Sequence, residues 1–225
     1  MTIACIIGTD TSIGKTYSCC QIMKYMTIQN HTIATLKPIA SGVKYYDSQL
    51  LNEDVYQLSK YSNYYLSYKQ INPFCFEQAI APNIAASLEK QILSVDRVTQ
   101  VVDKIIHQTK STNHLLIEGV GGLMVPLNDE EIYLDLLIKW NYPIILVVGI
   151  KLGCLNHALL TNRVLKQHRL PVVGWIANQI DPQMSFFREN VNYLISKLEF
   201  PMLAKIAFHG SLNPTQCFKD LFQCF

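Results

Sequence analysis

A glycine-containing stretch near the start of the chain has the residue types of a phosphate-binding loop. It runs from Gly8 to Thr16 with the sequence Gly-Thr-Asp-Thr-Ser-Ile-Gly-Lys-Thr. An apolar run precedes it and residues 17–26 have a helical pattern, so the stretch is expected to join a strand to a helix. Backbone N–H groups of such a loop converge on phosphate oxygens, and the N-terminus of the helix adds positive potential. Lys15 would neutralise phosphate charge, and the Thr16 hydroxyl would help to hold Mg²⁺.

The spacing of the two loop glycines departs from the common phosphate-loop pattern. Gly8 and Gly14 enclose five residues, whereas the common pattern has four, and Thr9 stands where the first glycine is expected. An ordinary strand-to-helix turn is the alternative interpretation. Because Gly-Lys-Thr lies where the helix is expected to begin, we predict a nucleotide-binding loop of a deviant type.

Lys37 is a second candidate cation for phosphate chemistry. It follows an apolar run, residues 32–36, where burial of a lone ammonium is costly without an anionic partner. A lysine directed at the phosphates would stabilise charge in the transition state. The alternative is a lysine whose ammonium reaches solvent at the rim of the sheet. Ser41 and Gly42 follow, in a loop that could approach a small ligand.

Two carboxylates are candidates for metal binding. Asp54 lies in the first turn of a helix predicted to run through Tyr61, where it is either an acid favoured by the helix dipole or a metal ligand. Glu118 ends a short apolar run, and three glycines lie in the next four residues. Glycines allow the backbone to approach a ligand closely, and a carboxylate there could reach Mg²⁺. A strand-terminal acid at an ordinary turn is the alternative for Glu118.

Two asparagines complete the candidates from local patterns. Asn156 lies where a strand passes into a helix, as either a helix cap or, with the nearby N–H groups, a ligand for a carboxylate. Asn178 ends a late apolar run, where an amide could contact the edge of a nucleobase or could simply stabilise a turn.

The elements that must position these residues alternate along the chain. Short apolar runs separated by amphipathic stretches are typical of a parallel sheet with helices on both faces. We therefore predict an α/β fold with three α/β/α layers, of the P-loop NTPase type, over one domain spanning residues 1–225. Ligands of such sheets bind at the carboxyl ends of the strands, where all the candidates fall. The tyrosine-rich residues 61–69 are predicted to form an exposed loop. The predicted strands are residues 2–7, 32–36, 115–117, 144–148, 172–177 and 202–206, and the later helices are residues 95–108, 156–167 and 185–198.

Composition limits the function classes. The chain has 225 residues, of which 49% are apolar and 16% charged, with a net charge of +2. No basic run indicates nucleic acid as a partner, and the sparse charge favours burial of some surface between subunits. The seven cysteines form no Cys-x-x-Cys pair, which favours reduced thiols. Neither a secretory leader nor a bilayer-spanning run is recognisable, so we predict a cytoplasmic protein without membrane or nucleic-acid partners.

Taken together, five stretches resemble the dethiobiotin synthetase family. They occur in the family's order and extend over the first four-fifths of the chain, and the five-residue spacing of the loop glycines is the family's form. Tyr193 is the nearest candidate for a tyrosine that the family offers to the substrate carboxylate. The stretches are Gly8-Thr-Asp-Thr-Ser-Ile-Gly-Lys-Thr16, Lys37-Pro-Ile-Ala-Ser-Gly42, Glu118-Gly-Val-Gly-Gly122, Lys151-Leu-Gly-Cys-Leu-Asn-His157 and Gly174-Trp-Ile-Ala-Asn178.

The resemblance implies a reaction and a set of residue roles. A 7,8-diaminononanoate amine would capture CO₂ as a carbamate, ATP with Mg²⁺ would phosphorylate it, and the neighbouring amine would close a cyclic urea. The resemblance also implies a homodimer. The implied roles are Thr9, Asp10, Ser12, Ile13 and Gly14 in the ATP loop; Lys15 and Lys37 at the transferring phosphoryl group; Thr16, Asp54 and Glu118 around Mg²⁺; Thr11, Ser41, Gly121 and Gly122 at the carbamate and diamine; Asn178 at the base; and Gly153, Cys154, Leu155 and Asn156 of the other subunit at the far carboxylate.

The main alternative is a switch ATPase of the ParA or MinD kind, which acts by binding partners or membranes. Such proteins usually carry a second lysine inside the phosphate loop. Here Thr9 and Asp10 occupy that part of the loop, so the lysine is missing. They also often end in a basic amphipathic helix, whereas residues 215–225 contain one lysine and one aspartate.

Overall fold

A computed structural model describes residues 1–46 and 48–223, and its elements follow the predicted alternation of strands and helices. The strands are β1 (Thr2–Gly8), β2 (Ile33–Leu36), β3 (Ile39–Ser41), β4 (Lys44–Tyr46), β5 (Gln49–Leu51), β6 (Phe74–Phe76), β7 (His114–Glu118), β8 (Ile144–Ile150), β9 (Val172–Gln179), β10 (Met202–Ile206) and β11 (Leu212–Pro214). The helices are α1 (Lys15–Ile28), α2 (Glu53–Tyr61), α3 (Tyr68–Ile71), α4 (Pro82–Leu88), α5 (Val95–Gln108), α6 (Tyr133–Trp140), α7 (Cys154–Gln167), α8 (Phe187–Lys197) and α9 (Gln216–Gln223).

The central sheet has seven strands in the order β11-β10-β9-β8-β1-β7-β2, and all pairs are parallel except β10–β11. β1 lies inside the sheet, between β7 and β8, because its buried apolar residues require neighbours on both sides. Ile6 of β1 pairs with Glu118 of β7, so the phosphate loop and Glu118 leave the sheet side by side. The predicted mostly parallel α/β fold is confirmed.

Helices cover both faces of the sheet. Successive β1 side chains enter opposite cores: Cys5 and Ile7 pack with α5, α6, α7 and α8, whereas Ala4 and Ile6 pack with α1 and α9. α5 has the same bounds as predicted, since Val98, Val102 and Ile105 form its apolar stripe. The three layers hold the carboxyl ends of the strands at one open edge.

The segment between β2 and α4 departs from the main sheet. β3 pairs with β6 as a separate two-stranded parallel sheet, and β4 pairs with β5 as a hairpin. The prediction of an exposed loop over residues 61–69 is wrong in part: Tyr65 is exposed, but Leu66 is buried. Ser67 then forms a capping box with Gln70 and begins α3. The Leu66 side chain therefore packs in the hydrophobic core, although its neighbours in the sequence are mostly polar.

The stability of the protein is expected to fall on acidification because of His114. This residue is 1% exposed, and its Nε2 lies 2.9 Å from His31 Nδ1. Burial, with the nearby His31, lowers the pKa of His114 to about 4. In the unfolded chain His114 binds a proton near pH 6.5. The contribution of His114 to the free energy of unfolding is therefore constant above that pH and falls as the pH drops towards 4. We expect a loss of up to about 2 kcal/mol at pH 5, measured by urea denaturation at pH 7.5 and pH 5.

The control is a second histidine that lies on the surface. His114→Gln is expected to flatten this pH dependence, whereas His168→Gln at the exposed end of α7 is expected to leave it unchanged. An equal pH dependence in wild type and His114→Gln would show that other groups carry the effect.

Six of the seven cysteines are free thiols in the described part of the chain, and Cys224 lies outside the described residues. Within residues 1–46 and 48–223, no helix combines the length and the apolar character needed to cross a bilayer.

Candidate active site

The phosphate loop lies between β1 and α1 at the open edge of the sheet. Ser12 and Gly14 adopt left-handed backbone conformations, with φ of 57° and 81°. Lys15 Nζ donates to the backbone oxygens of Asp10 (2.8 Å) and Gly121 (2.9 Å), which joins the loop to the glycine-rich turn after β7. Burial and the nearby Lys37 charge lower the pKa of Lys15 to about 8. A bound phosphate anion would stabilise its charged form.

Replacing Gly14 is expected to weaken nucleotide binding. At φ 81°, a Cβ at Gly14 would lie 2.1 Å from Asn178 Nδ2. Gly14→Ala must therefore displace either the loop or the buried Asn178 amide, and we expect nucleotide affinity to fall at least about tenfold. Isothermal titration calorimetry with ATP measures this loss.

Gly153 provides the matched control for this variant. Its φ is 89°, but a Cβ there would meet no atom within 4 Å. Gly153→Ala therefore carries a similar backbone strain without the collision, and ATP affinity should stay within about twofold of wild type. If both variants bind ATP equally well, the packing of Asn178 on Gly14 is unimportant for binding.

Lys37, Asp54, Glu118 and Thr16 converge beside the phosphate loop. Lys37 Nζ lies 2.5 Å from Glu118 Oε1 and 2.9 Å from Asp54 Oδ2. The Thr16 hydroxyl donates to Glu118 Oε1 at 2.8 Å. Lys37 and Glu118 are buried, whereas the Asp54 side chain is 42% exposed. The structure thus joins residues from α1, α2, β7 and the end of β2.

The charges in this cluster stabilise one another. Burial opposes the charge of Lys37, but Glu118 and Asp54 outweigh burial and raise the pKa of Lys37 above its usual range. Burial likewise favours the neutral form of Asp54, yet Lys37 and a hydrogen bond from Thr16 lower its pKa below the usual value. Asp54 is therefore an ionised carboxylate beside Glu118, rather than only an acid favoured by the helix dipole.

The oxygen atoms of this cluster fit a magnesium ion. Mg²⁺ binds few protein carboxylates and takes its remaining ligands from phosphate oxygens and water. Glu118 Oε2 is buried without a hydrogen-bond partner among the described residues, so one carboxylate oxygen is available to a cation. Within residues 1–46 and 48–223, no group of three or more His, Cys, Asp or Glu side chains could hold a metal ion by itself. Two carboxylates and the Thr16 hydroxyl instead suit an ion shared with a nucleotide.

A cavity of about 790 Å³ opens next to this cluster. Its lining includes Thr11, Ser41 and Gly121 together with Lys15 and Lys37. Ser41 Oγ is buried and has no hydrogen-bond partner in the described part of the chain, which leaves a hydroxyl for a ligand. The cavity therefore brings the predicted phosphate, metal and diamine residues to one place.

The start of α7 lies apart from that cavity, since residues 153–156 do not line it. The N-cap of α7 is Gly153, so the interpretation of Asn156 as a cap is wrong; Asn156 lies within the helix and is exposed. Cys154 faces the core, and its N–H donates to Lys151 O at 3.0 Å. Lys151 Nζ in turn lies 3.4 Å from Asp10 Oδ2, which connects this region to the phosphate loop.

Asn178 lies at the end of β9, beside the phosphate loop. It is buried, and its Nδ2 donates to Ile13 O at 2.9 Å. This amide hydrogen bond fixes the position of the loop backbone at Ile13. Tyr193 lies on α8 and is 43% exposed, with Lys197 Nζ 5.6 Å from its ring centroid. Its role stays a prediction.

Sequence reasoning missed two buried asparagines near the site. Asn72 Nδ2 donates to Lys37 O at 2.7 Å, and Asn52 Nδ2 donates to Ser41 O and Gly42 O at 3.1 and 2.8 Å. The signal for Asn52 was its position before an acid-rich helix turn, which is typical of an N-cap. The signal for Asn72 was weaker, a single Asn-Pro dipeptide.

The fold and the site together define a P-loop nucleotide-binding protein. Among solved structures, the chain is similar to chloroplast FtsY from Physcomitrella patens (TM-score 0.57, 15% identity, 98% of this chain and 64% of that chain). It is also similar to the cell division protein FtsY from Thermotoga maritima (TM-score 0.53, 13% identity, 98% of this chain and 68% of that chain). At such low identity these likenesses show the fold alone, and this chain spans about two thirds of the FtsY chains.

Comparison with curated sequences identifies the family. A model described as an AAA domain matches residues 4–216. The ATP-dependent dethiobiotin synthetase BioD of Legionella pneumophila (strain Paris) is 39% identical over 208 residues, which cover 92% of this chain and 94% of the relative. That of Idiomarina loihiensis is 40% identical over 204 residues, covering 90% and 91%. The chain belongs to the ATP-dependent dethiobiotin synthetase family and is an ATP-dependent ligase of that class. The resemblance drawn from its motifs is confirmed.

Proposed function

We propose that this protein makes dethiobiotin from 7,8-diaminononanoate, CO₂ and ATP in a reaction that requires Mg²⁺. The observation that carries the proposal is the convergence of Lys15, Lys37 and Glu118 beside the Ser41 hydroxyl, which has no hydrogen-bond partner among the described residues. Two cations and a metal-binding carboxylate suit phosphoryl transfer, which needs positioning and charge stabilisation more than a protein nucleophile.

In this proposal the phosphate loop binds ATP through the backbone of residues 9–14 and the ammonium of Lys15. Thr16, Asp54 and Glu118 would hold Mg²⁺, which when bound would neutralise charge on the terminal phosphates. Asn178 would contact the base. The lowered pKa of Lys15 supports this assignment, because a lysine that is costly to charge in isolation gains most from a phosphate partner.

The diamine side of the site would hold a carbamate. One amine attacks CO₂ and loses a proton to give the carbamate, which Thr11, Ser41 and the Gly121–Gly122 backbone would orient. A carbamate oxygen then attacks the γ-phosphorus while its bond to the bridging oxygen breaks and ADP leaves. The second amine attacks the carbonyl carbon and loses a proton, and phosphate departs with the C–O bonding electrons to leave the cyclic urea. Lys37 would stabilise the phosphoryl charge during transfer.

The substrate's far carboxylate would be held by a second copy of the chain. We propose a cytoplasmic homodimer in which the N–H groups of residues 153–156 of one subunit face the cavity of the other. Leu152 directly precedes these residues and Met124 precedes Val125 of the cavity lining; the two side chains are 93% and 62% exposed, which supports an apolar contact between subunits. Sedimentation equilibrium tests the dimer directly, and a monomer at all concentrations would refute it.

An omission assay tests the reaction. ADP release is measured with wild-type protein while diaminononanoate, bicarbonate or Mg²⁺ is left out in turn, and dethiobiotin is identified by mass spectrometry. We expect each omission to reduce turnover to background. Equal ADP release without the diamine would refute the proposal and favour a switch ATPase.

A further inference from the structure

Asn52 occupies a position between the two chemically distinct halves of the site. It precedes α2 and is 8% exposed, at the edge of the cavity. On one side lies the loop that contains Ser41, and on the other lies Asp54 in the first turn of α2. These residues belong to the diamine half and the metal half of the proposed mechanism.

The Asn52 side chain bonds to both halves at once. Its Nδ2 donates to Ser41 O (3.1 Å) and Gly42 O (2.8 Å), and its Oδ1 accepts from Asp54 N (3.1 Å). Both hydrogens of the amide are therefore used within the protein, although the residue lines the cavity. Asn52 is thus a positioning residue that acts through Ser41 and Asp54 rather than a group that contacts substrate.

The Ser41 loop, residues 41–43, consists of the end of β3 and the two residues after it, and on one side it is bonded to β6 and to Glu77. β3 lies outside the central sheet and pairs only with β6 among the described strands. Gly42 N donates to Phe76 O at 2.9 Å and Val43 N donates to Glu77 O at 3.2 Å, which fixes one side of the loop. Its other side meets α2 through the Asn52 amide, and α2 also carries the carboxylate that lies 2.9 Å from Lys37.

We propose that Asn52 sets the distance between the Ser41 loop and the Asp54 carboxylate. This distance would hold the carbamate within reach of the terminal phosphate. This inference rests on the proposed function. It predicts that loss of the two bonds to the Ser41 loop impairs use of the diamine more than use of ATP, because the side-chain hydrogen bonds of Asn52 within residues 1–46 and 48–223 go to Ser41, Gly42 and Asp54 and not to the phosphate loop.

Asn52→Ser separates the two roles of the side chain. Serine is a good N-cap and can keep the bond to Asp54 N, but it is too short to donate to both loop carbonyls. We expect the KM for diaminononanoate to rise at least about tenfold and kcat to fall at least about threefold. The KM for ATP is expected to stay within about twofold. A change in helix stability alone would not produce this split between the two substrates.

Ser94→Ala is the matched control. Ser94 caps α5 with a side-chain bond to Arg97 N, and α5 supplies no residue to the cavity. This variant loses a helix cap elsewhere, so its melting temperature should fall at least as far as that of Asn52→Ser, with both KM values unchanged. Asn52→Asp, which keeps an oxygen cap but repels the loop carbonyls, serves as the second variant if Asn52→Ser does not fold.

The outcomes separate this inference from the proposed function. Wild-type protein without diamine-dependent ADP release would refute the function itself. With an active wild type, unchanged kinetics in Asn52→Ser would overturn the role of Asn52. Equal increases in both KM values, or failure of both Asn52 variants to fold, would show a general structural role and would also overturn it.

Discussion

Lys37→Ala is expected to lower kcat by about 10²–10³-fold while the KM for ATP changes by no more than about threefold. Lys15 and the loop backbone would still bind the phosphates, so ground-state affinity is largely kept. The ammonium of Lys37 matters most where negative charge moves during phosphoryl transfer, and its loss therefore appears in kcat. Single-turnover measurements of ADP formation at saturating ATP and diamine isolate this step.

The same substitution has a consequence for stability that serves as an internal check. Lys37→Ala leaves the buried Glu118 without its ammonium partner at 2.5 Å, which should destabilise the metal-free protein by about 3 kcal/mol. Addition of Mg²⁺ and ADP should recover part of this loss, because a cation again faces the carboxylates. Lys166→Ala removes an exposed ion pair with Glu199 and should change neither property. Unchanged kcat in a folded Lys37→Ala protein would remove Lys37 from the mechanism.

Glu118→Gln is expected to raise the Mg²⁺ concentration for half-maximal turnover at least about tenfold and to lower kcat/KM by about 10²-fold or more. Glutamine keeps the size of the side chain and an oxygen for the Thr16 hydroxyl, but it removes the charge that a cation requires. The free Oε2 of Glu118, buried without a partner in the described part of the chain, is the atom most directly lost.

A direct binding measurement distinguishes a metal role from a structural one. Mn²⁺ binding in the presence of ADP, followed by electron paramagnetic resonance, should weaken in Glu118→Gln in parallel with the kinetic effect. Glu199→Gln, on the exposed surface, provides the control. Normal Mn²⁺ affinity in Glu118→Gln would show that the Glu118 carboxylate pairs with Lys37 and does not bind the metal ion.

The sequence predicted those parts of the fold that depend on local pattern. The buried strands β1, β7 and β8 and the stripe of α5 follow from apolar periodicity, which acts over a few residues. The phosphate loop was recognisable despite its spacing because glycine, lysine and threonine lie between a strand and a helix. The strand order was not predicted, because it depends on pairing between distant segments such as Ile6 with Glu118.

The parts of the site that were missed involve contacts between segments rather than residue types. That Lys37 meets both Asp54 and Glu118 requires three elements to meet, so the sequence left the metal role of Asp54 open. Asn52 and Asn72 were missed because their amides bond to backbone atoms, which leave no signature in side-chain spacing. The cap of α7 was misassigned because Gly153, in a left-handed conformation, performs it without a side chain.

The two edge strands of the central sheet, β11 and β2, affect the tendency of the protein to aggregate. On one margin, β11 is only three residues long, runs antiparallel and ends in Pro214, which has no N–H to offer a further strand. On the other margin, Ile33 of β2 donates to Asn63 Oδ1 and accepts from Ser62 Oγ, so side chains already satisfy its outward backbone groups. At these positions the backbone groups that would bond to an added strand are missing or already used. Edge-to-edge aggregation is therefore disfavoured there, even though nearly half of the sequence is apolar.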